Sequence, residues 1–547
     1  MKKVACPLFL LLLLTGFFAK TEESAFEILG QIPVQSGGRV KPFESFAREA
    51  LLSVTGKFSF EAKSAAALVW EWMAKPEEWH TKSFLPIRFK PLRDEFGLMA
   101  IGEKISPELA LTHPPFQEKV RQALERQEKK EPVGFLDKKR LELYDRARLF
   151  QAVAQGSIPG FLPQPEDPKA GWIPLAGLAD LERRAVLEKE YSPSEVAEIQ
   201  GALARLVRVI REDEKKSLLE TANAFRHSLE NLLDSRGVLL DQFRLDVERA
   251  YYRIRPFQWA WILYLASALS WFVLRGRFAS WPLSLFLAGF GMHSLGFIQR
   301  SLIAGRPPVS NMYESVIWVA WAAIFFSTVL GLVYRKSILP AVAAWVAAFS
   351  LLIGESFPAV LDPSLAPLVP VLRNNYWLTV HVLTITLSYG AFALAWGLAH
   401  AVLFVFAFRS KEREKQEMLS QYLYRALQIG VVGLAAGTIL GGVWANDSWG
   451  RFWGWDPKET WALIALFGYL AVLHGRFAGW LGSFGTAIGS ILAFLGILMA
   501  WYGVNFVLAA GFHSYGFGGG GLPYVLAALL LDLAFVSFLA FRYNKVR

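Results

Sequence analysis

Between Trp444 and Trp461 the chain reads Trp-Ala-Asn-Asp-Ser-Trp-Gly-Arg-Phe-Trp-Gly-Trp-Asp-Pro-Lys-Glu-Thr-Trp, five tryptophans in 18 residues. Tryptophan is enriched at membrane interfaces in any case, but this density exceeds what an interfacial belt requires. Flat indole surfaces with glycine spacers suit a flat, apolar, planar ligand. Two histidines flank this loop. His381 stands about one turn inside one end of an apolar segment, and His513 stands in Gly-Phe-His-Ser-Tyr-Gly ahead of the glycine run 518–521. Neutral imidazole is a good ligand for haem iron. Two histidines on the face that carries an aromatic shelf therefore point to haem, with a packed polar residue as the alternative for each.

Part of the same stretch is ordinary helix chemistry. Asp456 can cap the next helix, Pro457 suits its first position, and Glu459 completes a capping box. Asn311 and Glu314 repeat that pattern before another apolar segment. His381, Thr384 and Ser388 share one helical stripe, which must face protein or a cavity rather than lipid.

The elements that position these residues are membrane spans. The chain has 547 residues, of which 54% are hydrophobic, and Trp is abundant at 20. Its mean hydropathy is +0.32, which excludes an ordinary soluble enzyme. Nine apolar stretches approach or exceed the length that crosses about 30 Å of hydrocarbon. They are 257–274, 281–299, 313–334, 338–353, 377–408, 426–444, 459–474, 483–510 and 522–541. The net charge of +10 is a topology signal rather than a nucleic-acid surface, because the basic residues cluster in alternate links. With residue 256 outside, the inner links and tail hold thirteen Lys and Arg, and the outer links hold five: Arg300, Arg306, Arg373, Arg451 and Lys458.

The N-terminus agrees. Lys2 and Lys3 precede an apolar run from Val4 to Ala19, a signal peptide or signal anchor. Cys6, the single cysteine, is a bystander too early for a lipoprotein, and one cysteine excludes a disulfide framework. Residues 20–255 then form an exported, mainly helical domain with amphipathic stretches at Ser194–Arg211 and Lys215–Arg253. It offers no catalytic triad, phosphate loop or metal cluster. His80, His113 and His227 read as surface or structural, and Trp70, Trp72 and Trp79 as a local core, with a ligand-facing patch beside His80 as the alternative. The expected architecture is an all-α polytopic membrane protein, with an exported domain ahead of a membrane domain over 256–547.

A family resemblance sharpens this reading. The run Trp449-Gly450-Arg451-Phe452-Trp453-Gly454-Trp455-Asp456-Pro457-Lys458-Glu459 resembles the "WWD" signature of the haem-handling proteins of cytochrome c maturation. It is most similar to the CcsA-type subunit of the System II cytochrome c synthase. Pro307–Glu314, Trp377–His381 and Val504–Tyr515 match as well, so the likeness covers the membrane half. Gln-Ile-Pro-Val-Gln and Gly-Gly-Arg-Val-Lys-Pro-Phe near residue 31 resemble exported regions of some members.

The resemblance implies that His381 and His513 are external ligands of haem iron. It implies that Trp449, Gly450, Trp453, Gly454, Trp455 and Asp456 belong to the haem platform, and that His474 serves an internal haem site. In the family the internal site takes a second histidine from a CcsB (ResB-like) part. No such part is evident in this chain, so a separate subunit is expected, with His293 and His400 as within-chain candidates that read as packing. The implied substrates are haem b and apocytochrome c, in the inner membrane with the tryptophan loop on the periplasmic side. The implied chemistry is addition of CxxCH thiols to haem vinyl groups. Arg451 or Arg373 could pair with propionates. A System I haem lyase or delivery protein, a cytochrome b electron carrier and a solute transporter are the alternatives. A carrier would pair histidines deep in the spans, whereas His381 and His400 are 19 residues apart, about 100° in azimuth.

Overall fold

The computed structural model describes residues 24–97, 103–164, 167, 170–179, 187, 189–273, 280–334, 338–358, 360–365, 375–508 and 521–546. The signal segment and Cys6, His513 with most of the glycine run, and Arg373 lie outside the described residues. The chain divides into two compact units, with the change between Arg253 and Ile254.

The first unit is a helical domain around a small sheet. Strands Pro33–Ser36 and Arg39–Pro42 form a hairpin through Gly37 and Gly38, both at positive φ, as a two-residue turn of this hand requires. Gly160–Leu162 and Ile173–Pro174 extend it to four antiparallel strands. The core is aromatic. Trp70 and Trp72 lie on a helix, Ala65–Ala74, that is apolar on nearly every side, and both are fully buried. Trp70 packs 5.3 Å from Phe43 and 5.7 Å from Phe225, and Trp72 packs 5.3 Å from Phe150. Trp79 joins them through Phe84 at 5.4 Å. These tryptophans are core, as expected. His227 is exposed beside Glu230, and the His113 ring lies tilted 4.9 Å from Phe96.

One helix boundary differs from the expectation. Lys215–Arg253 is two helices, Lys215–Ser235 and Gln242–Ile254. Gly237 at positive φ ends the first, because a left-handed glycine closes a helix without a Cβ clash. The second helix is tied to the hairpin by Arg39, whose two terminal nitrogens donate to Glu248 at 2.7 and 2.8 Å.

The second unit is the membrane bundle. Eight described helices are long and apolar enough to cross a membrane, from Trp281–Ala304 to Leu522–Lys545. The first expected span, Pro256–Val273, is also a helix and packs on Trp281–Ala304 and Ile338–Ser356. The hub is the helix that ends at Phe408: 61% of its apolar window is buried, against 11% for the last helix.

The helix Arg413–Trp449 packs along this hub and is longer than expected. Its 37 residues span about 55 Å, so the expected span 426–444 is only its apolar middle. The close approach has a simple cause. Gly430, Gly433, Gly437 and Gly441 fall on one face, opposite Phe392, Ser388, Ile385 and His381. A Cβ on Gly437 would lie 2.7 Å from the Cβ of Ile385, and one on Gly441 would lie 2.7 Å from the His381 ring.

Candidate functional site

His381 sits in a single turn of π-helix, Leu378–Val382, before regular helix resumes at Leu383. Such turns concentrate at functional positions because they re-aim one side chain out of the α-helical register. The ring is oriented by the neighbouring helix. Nδ1 lies 2.9 Å from the carbonyl oxygen of Gly437, and a carbonyl only accepts, so Nδ1 carries the proton and Nε2 is the basic nitrogen. That is the tautomer a metal-ligating imidazole needs, set by an outer partner. Trp444 lies 5.5 Å from the ring. Behind it, Trp444 and Val309 form a small core with Trp318, Trp377, Val382 and Leu383. Trp377 donates its indole N–H to Asp447 at 2.9 Å, joining the start of one helix to the end of the other.

The tryptophan stretch, read from the sequence as one loop over 444–459, has two parts. Residues up to Trp449 are helical, and Gly450 closes the helix at φ 69, its N–H bonded to Asn446 at 2.9 Å. Only the short link to Asp456 is irregular. Asp456 is buried and caps the helix Pro457–Phe477, accepting from the Lys458 N–H at 3.0 Å. Glu459 accepts from Gly454 at 2.9 Å and from Asp456 at 3.2 Å, so the capping box is present and reaches two residues further than expected. Between those two N–H groups stands Trp455 at φ 56, a left-handed conformation that an L-residue adopts at a cost. Its side chain is 70% exposed. Strain that aims an indole outward is the kind of device found at binding sites.

The tryptophans do not form one flat shelf. Trp444 is buried in the wall beside His381. Trp453 and Trp455 stand perpendicular with ring centres 5.9 Å apart, forming a corner with an exposed outer face. Trp449 lies beneath the Arg451 guanidinium at 5.9 Å. Arg451 also lies 3.4 Å from Glu459, an ion pair that fastens it to the cap.

The remaining histidines separate clearly. His474 lies near the far end of the capped helix, fifteen residues beyond Glu459 and so about 22 Å along it. Its Nδ1 donates to its own helix at Leu470, 2.8 Å away, and the side chain is exposed. His293 is fully buried, with Nε2 3.0 Å from the Ile317 carbonyl and Nδ1 3.3 Å from the Tyr264 hydroxyl. Both of its nitrogens are used in packing. His400 donates from Nδ1 to Trp396, and its Nε2 lies 2.9 Å from Asp532 of the last helix. Neither stands as a partner for His474.

Two groups escape a reading of the sequence. Arg300 and Arg306 count as outer topology charges, yet both are buried around Glu314, at 2.7 and 3.3 Å. Asn311 does cap the Glu314 N–H, at 2.8 Å. The Glu314 carboxylate turns instead to the N–H and hydroxyl of Ser310, at 2.9 and 2.8 Å. Asp532 pairs with His400. The available signal was a carboxylate inside or at the edge of an apolar span, which is costly unless partnered.

A family model described as "Cytochrome C assembly protein" matches residues 309–512. Protein NrfI of Wolinella succinogenes is 29% identical over 530 residues, covering 92% of this chain, which itself spans 56% of NrfI. Cytochrome c biogenesis protein CcsA of Prochlorococcus marinus is 36% identical over 255 residues, 41% of this chain and 80% of that protein. CcsA of Synechococcus sp. is 33% identical over 248 residues, 40% of this chain and 78% of that protein. The residues matched by the family model include His381, the tryptophan stretch and its cap, and the chain belongs to the CcsA family of cytochrome c biogenesis proteins.

Proposed function

We propose that this chain moves haem b to the outer face of the inner membrane and holds it there for covalent attachment to apocytochrome c. The observation that carries the reading is His381: a π-turn histidine whose Nδ1 is committed to Gly437 beside the tryptophan stretch. Its Nε2 is then the iron-binding nitrogen, and His513 supplies the second axial ligand. Trp449, Trp453 and Trp455, with Gly450, Gly454 and Asp456 shaping the turn, hold the macrocycle. Bis-imidazole ligation fixes the iron and leaves the vinyl edge open. Each thiol of a CxxCH segment adds across a vinyl double bond, its proton going to the neighbouring carbon, so a thioether forms with no leaving group. The CxxCH histidine then replaces one axial ligand and releases the product. Catalysis is mainly positioning.

His474 serves an earlier haem site toward the opposite end of the bundle. Its exposed ring on a peripheral helix face suits a ligand partner from another chain, so a CcsB (ResB-like) subunit completes that site. The charge bias supports a periplasmic position for the tryptophan stretch and for residues 20–255. The burial of Arg300 and Arg306 leaves still fewer outer charges that oppose this orientation. The test is purification of the chain with a CcsB-like partner and an absorption spectrum. A six-coordinate low-spin haem that His381→Ala abolishes is expected; haem retained unchanged in that variant overturns the assignment.

A further inference from the structure

The segment 307–315 touches both helical stretches that lead to the candidate axial ligands. On one side Val309 packs on Trp444, whose ring lies 5.5 Å from His381. On the other side the helix that begins at Ser483 turns to π-helix over Met499–Leu508, five residues ahead of His513 in the chain. Trp501 of this stretch donates its indole N–H to Ser315 at 2.8 Å. The buried Asn505 amide lies 3.5 Å from the Met312 sulfur and donates to Trp501 at 2.7 Å.

The segment is itself held rigidly. The fully buried Glu314 carboxylate collects Arg300, Arg306 and both polar groups of Ser310. Arg300 also donates to the Pro363 carbonyl at 2.9 Å and lies over the Tyr313 ring at 5.3 Å. A helix start needs only its Asn311 cap. Two arginines buried on one carboxylate are a far more expensive arrangement, and a misplaced member leaves an uncompensated charge. Displacing any one member therefore carries a penalty.

We propose that residues 307–315 are a bracket that sets the spacing between the His381 turn and the π-helical stretch Met499–Leu508, with Glu314, Ser315 and Val309 as positioning residues that never touch haem. The proposal rests on the haem-holding reading above. The bracket fixes His381 through Trp444 and holds the stretch 499–508 through Trp501. The π-turn at His381 is then not free to relax into α-helix, which would rotate the residues beyond it by about 100°.

The test uses the full chain purified with its CcsB-like partner. Ser315→Ala removes one hydroxyl and the Trp501 bond, Val309→Ala loosens the Trp444 wall, and Glu314→Gln opens the network. Protein accumulation, haem content and the absorption spectrum are read for each. Ser315→Ala and Val309→Ala are expected to accumulate normally but to shift the haem from low-spin toward five-coordinate. Haem content should fall by roughly tenfold, the scale of losing an outer-shell partner. Added imidazole should restore the low-spin spectrum, because a free ligand does not depend on the spacing; a merely structural defect would not respond. If Glu314→Gln does not accumulate, the two milder variants decide. A low-spin spectrum and full haem content in both overturn the bracket while leaving the haem site standing. Absence of haem from the unsubstituted chain overturns both.

Discussion

His381 donates from Nδ1 to the backbone carbonyl of Gly437 across 2.9 Å, so the ring of the candidate ligand is aimed by a residue 56 positions later. The bond is possible only because the second helix approaches through glycines. Gly441, one turn beyond, faces the same imidazole. Gly441→Ala would put a methyl carbon 2.7 Å from Cε1, and overpacking of this kind costs about 1–3 kcal/mol. The expected outcome is a chain that still inserts and accumulates but holds several-fold less haem. Haem per polypeptide, compared with Gly482→Ala in the open at the other end of the bundle, is the measurement.

Trp455 makes a second, opposed pair of effects measurable. Its φ of 56 carries a strain of order 1–3 kcal/mol. Trp455→Gly relieves it and is expected to leave the thermal stability equal or slightly higher, while haem retention falls because the exposed indole is gone. Glu459→Gln should lower both, since the same carboxylate holds the N–H groups on either side of Trp455. A Trp455→Gly variant that keeps its haem would remove the indole from the site.

The histidines should divide by readout. His474→Ala is expected to reduce haem reaching the outer site while leaving protein abundance near normal, because its side chain is exposed. His293→Ala should reduce abundance, because it removes a buried ring with two partners, and haem per surviving polypeptide should stay constant. His400→Ala should loosen the last helix, whose polar tie to the hub is Asp532. Quantitative blotting with haem staining of the same samples separates the three.

Orientation is checked by labelling. With Cys6 replaced, Ser448→Cys is expected to react with an impermeant thiol reagent in intact cells. Reaction only after lysis would place the tryptophan stretch on the other side.

In the first compact unit, Glu195 links stability to pH. Hydrogen bonds from the side chain and backbone of Ser192, aided by Arg236, hold its carboxyl at about 2 rather than 4.5. The folded value is depressed, so the contribution is complete above pH 4.5 and declines as the pH falls toward 2. Glu195→Gln should therefore speed hydrogen exchange at the start of helix Pro193–Arg211 at pH 7. The difference from the unsubstituted chain should shrink between pH 4.5 and 2.

The sequence by itself determined the solvent of each half, because apolar runs of membrane length and the placement of Lys and Arg are one-dimensional signals. It also determined the capping box at Asp456 and Glu459, which is local, and the tryptophan-rich stretch, which is composition. The core role of Trp70 and Trp72 was legible for the same reason: their helix is apolar all round. Only the tertiary structure decided which tryptophan does what. Trp444 and Trp449 are one stretch in sequence, but a helix that continues to Trp449 turns the first into the wall behind His381 and leaves the second at the rim. The burial of Arg300 and Arg306 on Glu314 was equally out of reach, since charges at a span edge look like topology signals until their partners are known. The tautomer of His381 depends on Gly437, and the end of the helix 483–508 depends on Ser315. Those are contacts between helices far apart in sequence, decided by which faces pack and how closely glycine lets them approach.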